Sequence, residues 1–332
     1  MTGLLFIAIL LVLVGMIHWT SVHPGKVAST FSLHGSDFFE GRFLKVLHAF
    51  LGGYNRARLP FLPIGWIREH LEASFDAFYR GFAYEGTGMG FGARATLFWN
   101  SGRKFESFIH QLSSDHIYQY YVGLGWWLHI LFGFRQKGYE RWLRQLDRGY
   151  GPILFDGVGF RTGLFHYGKQ KQIIRKFAQF SEEYRRICYQ GLGRSFWFLY
   201  KFDFDRVLEE MEHIEHRDRA DFLSGVGLAV AYSRFDHMSF AFDIREKVPL
   251  AYQEAYTQGM AFGWEARRLQ NRSYWEEILK SGSAVQREKV RDMIEVVYLA
   301  KEMIRNESPE RYYVRWMDVT RSLILSNRGD SR

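Results

Sequence analysis

Cysteine is nearly absent from this 332-residue chain. Cys188 stands alone, which excludes an internal disulfide and any cysteine-based zinc site. Its context, "RRICYQG", is apolar and helical, so it reads as a buried filler rather than a nucleophile. Proline is scarce too, with six in the chain, and that argues for helices over a turn-rich β protein. Runs of like charge are missing: the net charge of +8 is scattered among 44 basic and 36 acidic residues. The footprint of a nucleic-acid binder is therefore lacking, and anionic lipid is the more natural partner. No glycine-rich stretch completes Gly-x-Gly-x-x-Gly after a strand-like run, which removes the dinucleotide fingerprint.

Charge is also absent from Thr2 to Val22, "TGLLFIAILLVLVGMIHWTSV". A helix of that length spans a bilayer core. No basic residue precedes it and no Ala-x-Ala site follows, so an uncleaved anchor fits better than a signal peptide. Lys26, Arg42, Lys45, Arg56 and Arg58 come after it, which predicts a single-pass protein of the cytoplasmic (inner) membrane with its body in the cytoplasm.

Aromatic residues are abundant, with 30 Phe, 19 Tyr and 10 Trp, and so is glycine, with 32. The glycines are ordered. Pairs fall at Gly86/Gly88, Gly123/Gly125, Gly157/Gly159, Gly191/Gly193 and Gly225/Gly227, and Gly259/Ala261 keeps the small pair. After a first step of 37 residues the period is 34 throughout, the mark of a helix-turn-helix repeat. A second amphipathic segment closes each unit, as in "YERWLRQL" and "FDRVLEEM". Glycine inside a helix costs about 1 kcal/mol against alanine, so its recurrence implies sites where a neighbouring helix leaves no room for a side chain. The expectation is an all-α protein: an α-solenoid of about seven 34-residue hairpins, right-handed and resembling tetratricopeptide repeats. The boundaries expected are an anchor at 1–22, a linker at 23–37, a helical segment at 38–76, the repeats at 77–317, and a cap and disordered tail at 318–332.

One column precedes each small pair: Glu85, Val122, Asp156, Gln190, Ser224 and Gln258. If the first helices line a concave face, Glu85, Asp156, Gln190 and Gln258 become polar anchors in a groove walled by Trp126, Phe160 and Trp197. Alternatively, each polar residue bonds a neighbouring unit and fixes the stacking. Glu85 and Asp156 lie two units apart, about 16–20 Å at usual helix spacings, too far for a paired acid and base at about 5–10 Å unless the array curves strongly. Glu209, Glu212, His213 and His216 share one helix face and are weak metal candidates. Glu210 and His213 also form a Glu-x-x-His of the di-iron type, but a second copy is missing, so a solvated face is the plainer reading, and no cofactor is called for. "HRDRAD" lacks the other parts of a kinase site, and "DFD" at Asp203 to Asp205 reads as a helix cap.

The blocks "RGFAYEGTGMGFG", "LFDGVGFRTGLFHYG", "YQGLGRSFWF" and "RADFLSGVGLAVAY" resemble an uncharacterised bacterial family, the domain of unknown function 1702, over roughly Phe39 to Arg321. Members are often associated with enediyne polyketide biosynthesis loci. The resemblance implies a setting in natural-product metabolism and brings no catalytic residues. Two functions are then in view. One is a non-catalytic binding or scaffold protein at the membrane, holding a protein partner or an apolar polyene-like molecule in the aromatic groove. The other is an enzyme acting on an apolar polyene or isoprenoid-like chain, with Glu85 and Asp156 as acids in an enclosed cavity.

Overall fold

The computed structural model describes residues 21–31, 33 and 37–329, and these residues contain helices and no strand. Most of the anchor segment, residues 2–20, lies outside them. Along the chain come α1 (Pro24–Thr30), α2 (Phe38–Ala57), α3 (Ile64–Ser74), α4 (Ala77–Ala95), α5 (Ser101–Leu112), α6 (Ile117–Phe132), α7 (Gln136–Leu143) and α8 (Leu154–Thr162). They are followed by α9 (Glu182–Leu199), α10 (Phe204–Met211), α11 (His216–Ser233), α12 (Met238–Lys247), α13 (Gln253–Gln270), α14 (Arg272–Ser281), α15 (Ala284–Met303) and α16 (Pro309–Gly329). Local chemistry sets several starts. Asp37 accepts from the Glu40 amide at 2.7 Å, Asp203 from the Arg206 amide at 3.1 Å and Asn271 from the Tyr274 amide at 2.9 Å, while Ser283 and Gln286 form a reciprocal capping box.

The glycine-bearing helices α4, α6, α8, α9, α11 and α13 form an inner row in chain order, and short amphipathic helices lie outside them. The outer element after α8 is a 3-10 segment, Lys171–Gln179, reached through a π-helical turn, Gly163–Tyr167. Two glycines per inner helix serve two neighbours. A Cβ on Gly123 would lie 1.9 Å from the Glu85 carbonyl oxygen of the helix before it, and one on Gly125 would lie 1.8 Å from the Leu154 oxygen of the helix after it. The next helices repeat this, with Gly157 against Val122 and Gly159 against Cys188, then Gly191 against Asp156 and Gly193 against Phe222. The helices thus meet backbone to backbone. No side chain longer than hydrogen fits there.

Four expectations need correction. The row begins earlier than Ala77, because Gly86 meets the Phe50 oxygen of α2. The stretch expected as a linker holds α1, whose N-cap is His23. The tail is helical as far as Gly329. Most consequentially, the inner row does not leave an open concave groove, because it curls until its two ends touch. Arg267 of α13, 3% exposed, donates to the Phe78 carbonyl of α4 at 2.7 Å and to the Tyr232 carbonyl of α11. Arg42 of α2 donates to the Ser233 carbonyl and to both oxygens of Asp236. α16 then fastens across the row, with Asp318 on Arg186 at 2.7 Å and Arg321 on Asp221 at 2.9 Å.

Candidate functional site

Because the row closes on itself, the side chains facing inward meet around a space that is walled on most sides and open at a rim. A cavity of about 230 Å³ lies between α1, α2, α4, α6, α8, α9 and α11. Trp126 and Phe160 each follow the second glycine of a pair, so the 34-residue period sets them side by side, with ring centroids 5.3 Å apart. Phe50 at 4.8 Å and Phe165 at 5.7 Å from Trp126 extend the aromatic wall. α1 covers the outside, where Phe31 lies 5.5 Å from both Phe43 and Phe165. The rim carries Val22, the exposed Ile130 and the half-buried Arg161.

The deep end is charged. Arg194 occupies the position after Gly193, the column that holds Trp126 and Phe160 in the two preceding helices. One terminal nitrogen of its guanidinium donates to Asp156 and the other to Glu85 at 3.4 Å, and the guanidinium lies 5.0 Å over the Phe160 ring. All three charged groups are buried, at 4%, 2% and 7% exposure for Glu85, Asp156 and Arg194. Burial pushes the Glu85 carboxyl up to about 7; Arg194 opposes that rise and the neighbouring Asp156 adds to it. Asp156 is raised by burial against the pull of Arg194. Burial works against the Arg194 charge, but its two carboxylates outweigh that and hold the guanidinium firmly protonated. Glu85 is therefore divided between acid and base near neutral pH, at the end of an otherwise apolar space. On its far side a smaller void of about 40 Å³ is lined by Tyr118, Gln119, Asp156, Tyr232 and Glu265 among others, and burial likewise pushes Glu265 up to about 7.

The sequence profile of the family described as "Protein of unknown function (DUF1702)" matches residues 39–321. The chain belongs to that family. No curated protein and no solved structure matches it. The matched region of this DUF1702 chain contains the inner row, Glu85, Arg194 and Asp156.

Of the residues singled out in the sequence of this DUF1702 chain, Glu85, Trp126 and Phe160 line the larger cavity, and Glu85 and Asp156 the smaller one. The expected separation of Glu85 and Asp156 is overturned, since curvature puts both on one guanidinium. Gln190, Ser224 and Gln258 lie elsewhere, in a buried ladder running through three successive helices. Gln190 donates to Ser224 at 2.9 Å and Ser224 to Gln258 at 2.7 Å, while Tyr313 and Arg321 of α16 donate to the two glutamine oxygens. These three fix the stacking. Trp197 packs on Phe202 at 4.9 Å, donates to Ser233 at 2.9 Å and is fully buried outside both cavities. Glu209 pairs with Arg206 and Glu212 with Arg219, and His213 and His216 share that solvated side of the fold. Among the described residues no group of three or more His, Cys, Asp or Glu could hold a metal ion. None of the described helices is long and apolar enough to cross a membrane.

Arg194 and Arg161 belong to the site as well. Arg194 was legible as the one charge in the column Met89, Trp126, Phe160, Arg194, Leu228, Phe262. Arg161 carried no such signal. Its guanidinium lies 3.0 Å from the His166 ring nitrogen, burial lowers its pKa, and among the described residues no carboxylate pairs with it.

Proposed function

We propose that this protein binds a slender, apolar, polyene-like molecule in the aromatic cavity, with the polar features of that ligand met by Glu85 and Arg194 at one end and Arg161 at the rim. The observation that carries this reading is the cavity itself: aromatic walls and a few convergent polar groups, the usual make-up of a small-molecule site. The closure through Arg267 and Arg42 leaves no open concave groove of the kind expected for a protein partner, which favours a small molecule over that reading. An arginine that is partly buried without a counter-ion loses hydration that nothing replaces, and Arg161 therefore favours a ligand that carries an acceptor or an anionic end. Natural-product biosynthesis of the enediyne type, the setting the family resemblance implies, is where we place that ligand. The apolar stretch Thr2–Val22 would hold the protein at the membrane, and Val22, where that stretch ends, lines the cavity.

The second reading, an enzyme acting on such a chain, is favoured by one observation: Glu85 sits near neutrality at the end of the apolar space, suited to giving or taking a proton. Native mass spectrometry of the full-length protein from its own host tests the first reading. A stoichiometric apolar molecule is expected, and Trp126→Ala should lose it. A protein that carries nothing, and that takes up no polyene or long-chain probe when offered one, refutes it. A bound molecule that changes on incubation with wild type but not with Glu85→Gln would establish the enzyme reading instead.

A further inference from the structure

A separate feature of the molecule points to a partner of another kind. The turns after α2 and after α4 carry large apolar side chains in full view of solvent. Trp99 is 88% exposed and Phe61 78%, with Leu97 and Phe98 also exposed, and Trp66 is exposed in the first turn of α3. The two turns adjoin. Arg94 at the end of α4 donates to the Leu62 carbonyl at 2.9 Å and lies 4.6 Å over Phe108, which in turn sits 6.2 Å from Phe98. Isolated exposed apolar residues are ordinary, but an adjoining group of bulky ones at turn tips marks an interaction surface.

The surroundings say what covers it. Trp99 borders a surface pocket of about 420 Å³ whose other lining residues are Asn100, Arg103, Arg141, Arg144 and Gln145. No carboxylate lines that pocket, and among the described residues none pairs with any of its three arginines. Arg141 lies 5.2 Å from the Trp99 ring and donates to its carbonyl at 3.2 Å, which holds the turn in place. Lys104 lies 5.1 Å from the Phe98 ring. Protruding aromatic tips ringed by unpaired guanidinium groups complement an anionic lipid surface: the tips suit the headgroup–acyl boundary and the arginines suit phosphates. The path of the chain agrees. Val22 exchanges two hydrogen bonds with Asn55 in the last turn of α2, at 3.1 and 2.8 Å, so the first described residues lie at the same end of α2 as the turn that carries Phe61. Ile130, on the cavity rim, lies one turn beyond Trp127, which donates to Thr96 of the α4 turn at 2.9 Å.

We propose that this end of the body docks on an anionic lipid bilayer, with Trp99, Phe98, Leu97 and Phe61 entering the interface and Arg103, Arg141 and Arg144 bound to lipid phosphates. Docking fixes the body against the membrane independently of any anchor and turns the cavity rim toward the lipid.

The lone native cysteine is buried, so an Asn100→Cys variant of the full chain takes an environment-sensitive dye selectively beside Trp99. The labelled protein is reconstituted in phosphatidylcholine vesicles with and without phosphatidylglycerol. Dye emission should shift to the blue and be quenched by lipid-borne nitroxide when phosphatidylglycerol is present. The triple variant Arg103→Gln/Arg141→Gln/Arg144→Gln should need at least about tenfold more anionic lipid for the same response. A dye that stays open to aqueous iodide in every vesicle overturns the proposal, because an anchor alone would leave this end in water. An equal response to free inorganic phosphate would also overturn it, by assigning the arginines to a soluble anion.

Discussion

If the glycine pairs exist because helices touch through their main chains, the same substitution must have opposite signs at two glycines of the same chain. Gly225 sits in α11, where an added Cβ would fall 1.7 Å from the Gln190 carbonyl oxygen, 2.7 Å from its carbon and 3.0 Å from the Arg194 nitrogen. Ordinary contact begins near 3.4 Å, so α9 and α11 would have to part by more than an ångström. The obstacle is backbone, which has no rotamer to change. Overpacking of a tight core costs about 1–3 kcal/mol, and a main-chain obstacle belongs at the top of that range. Alanine returns about 1 kcal/mol of helix propensity. Gly225→Ala should therefore lose about 2 kcal/mol or more. Gly41 is also helical, in α2, and an added Cβ there meets nothing within 4 Å. Gly41→Ala should gain up to about 1 kcal/mol. Thermal and chemical denaturation of the two variants beside wild type decides the matter. A stabilised or unchanged Gly225→Ala would refute the close-approach argument for the whole row.

The remaining predictions concern the cavity. Because the Glu85 carboxyl titrates near 7 in the folded chain and near its ordinary value when unfolded, folding favours its protonated form. Its contribution is intact below about pH 4.5 and is lost as pH rises through about 7, a change of about 3 kcal/mol. Glu85→Gln should accordingly gain stability relative to wild type across that window, as read from unfolding midpoints at stepped pH, and a flat difference would contradict the burial argument. Arg161→Gln should abolish any preference for a long-chain acid over the alcohol of equal length while leaving alcohol binding intact; calorimetry with the pair of probes reads this, and an unchanged preference would remove Arg161 from ligand recognition. Trp126→Ala should reduce apolar-probe binding by at least about tenfold and cost about 3–5 kcal/mol of stability, so its folding must be checked before its binding is compared.

Much of this was legible in the sequence. The 34-residue spacing marks both the inner helices and the reason for their glycines, and the amphipathic segments mark most of the outer helices. Curvature was not legible, because it emerges from many small wedge angles between neighbours and shows only when the ends meet. The contacts that record it, Arg267 on Phe78 and Arg42 on Asp236, join residues 189 and 194 positions apart, and no local pattern announces them. The same blindness hid the meeting of Glu85 with Asp156, whose separation along a gently curved array would forbid it. It also obscured the difference between Gln190, a rung between helices, and Glu85, which faces a cavity, although both stand in one column. Comparison down the following column could have found Arg194, since a charge among Met89, Trp126, Phe160, Leu228 and Phe262 must be paired or solvated.

The main-chain contacts of the inner row have a consequence for how such a protein can diversify. Pitch and registry are held by hydrogen atoms on glycine and by carbonyl oxygens, with the Gln190–Ser224–Gln258 ladder beside them, so they do not depend on the side chains that line the cavity. Frame and content are thus separable. The cavity is lined from several positions per helix, among them Met89, Trp126, Phe160 and Phe198, and changing those residues alters the space without retuning the stack. Here the lining is aromatic, with a charged end where Arg194 pairs with Glu85 and Asp156. A different lining on the same glycines would give a space of different shape and polarity with the fold unchanged.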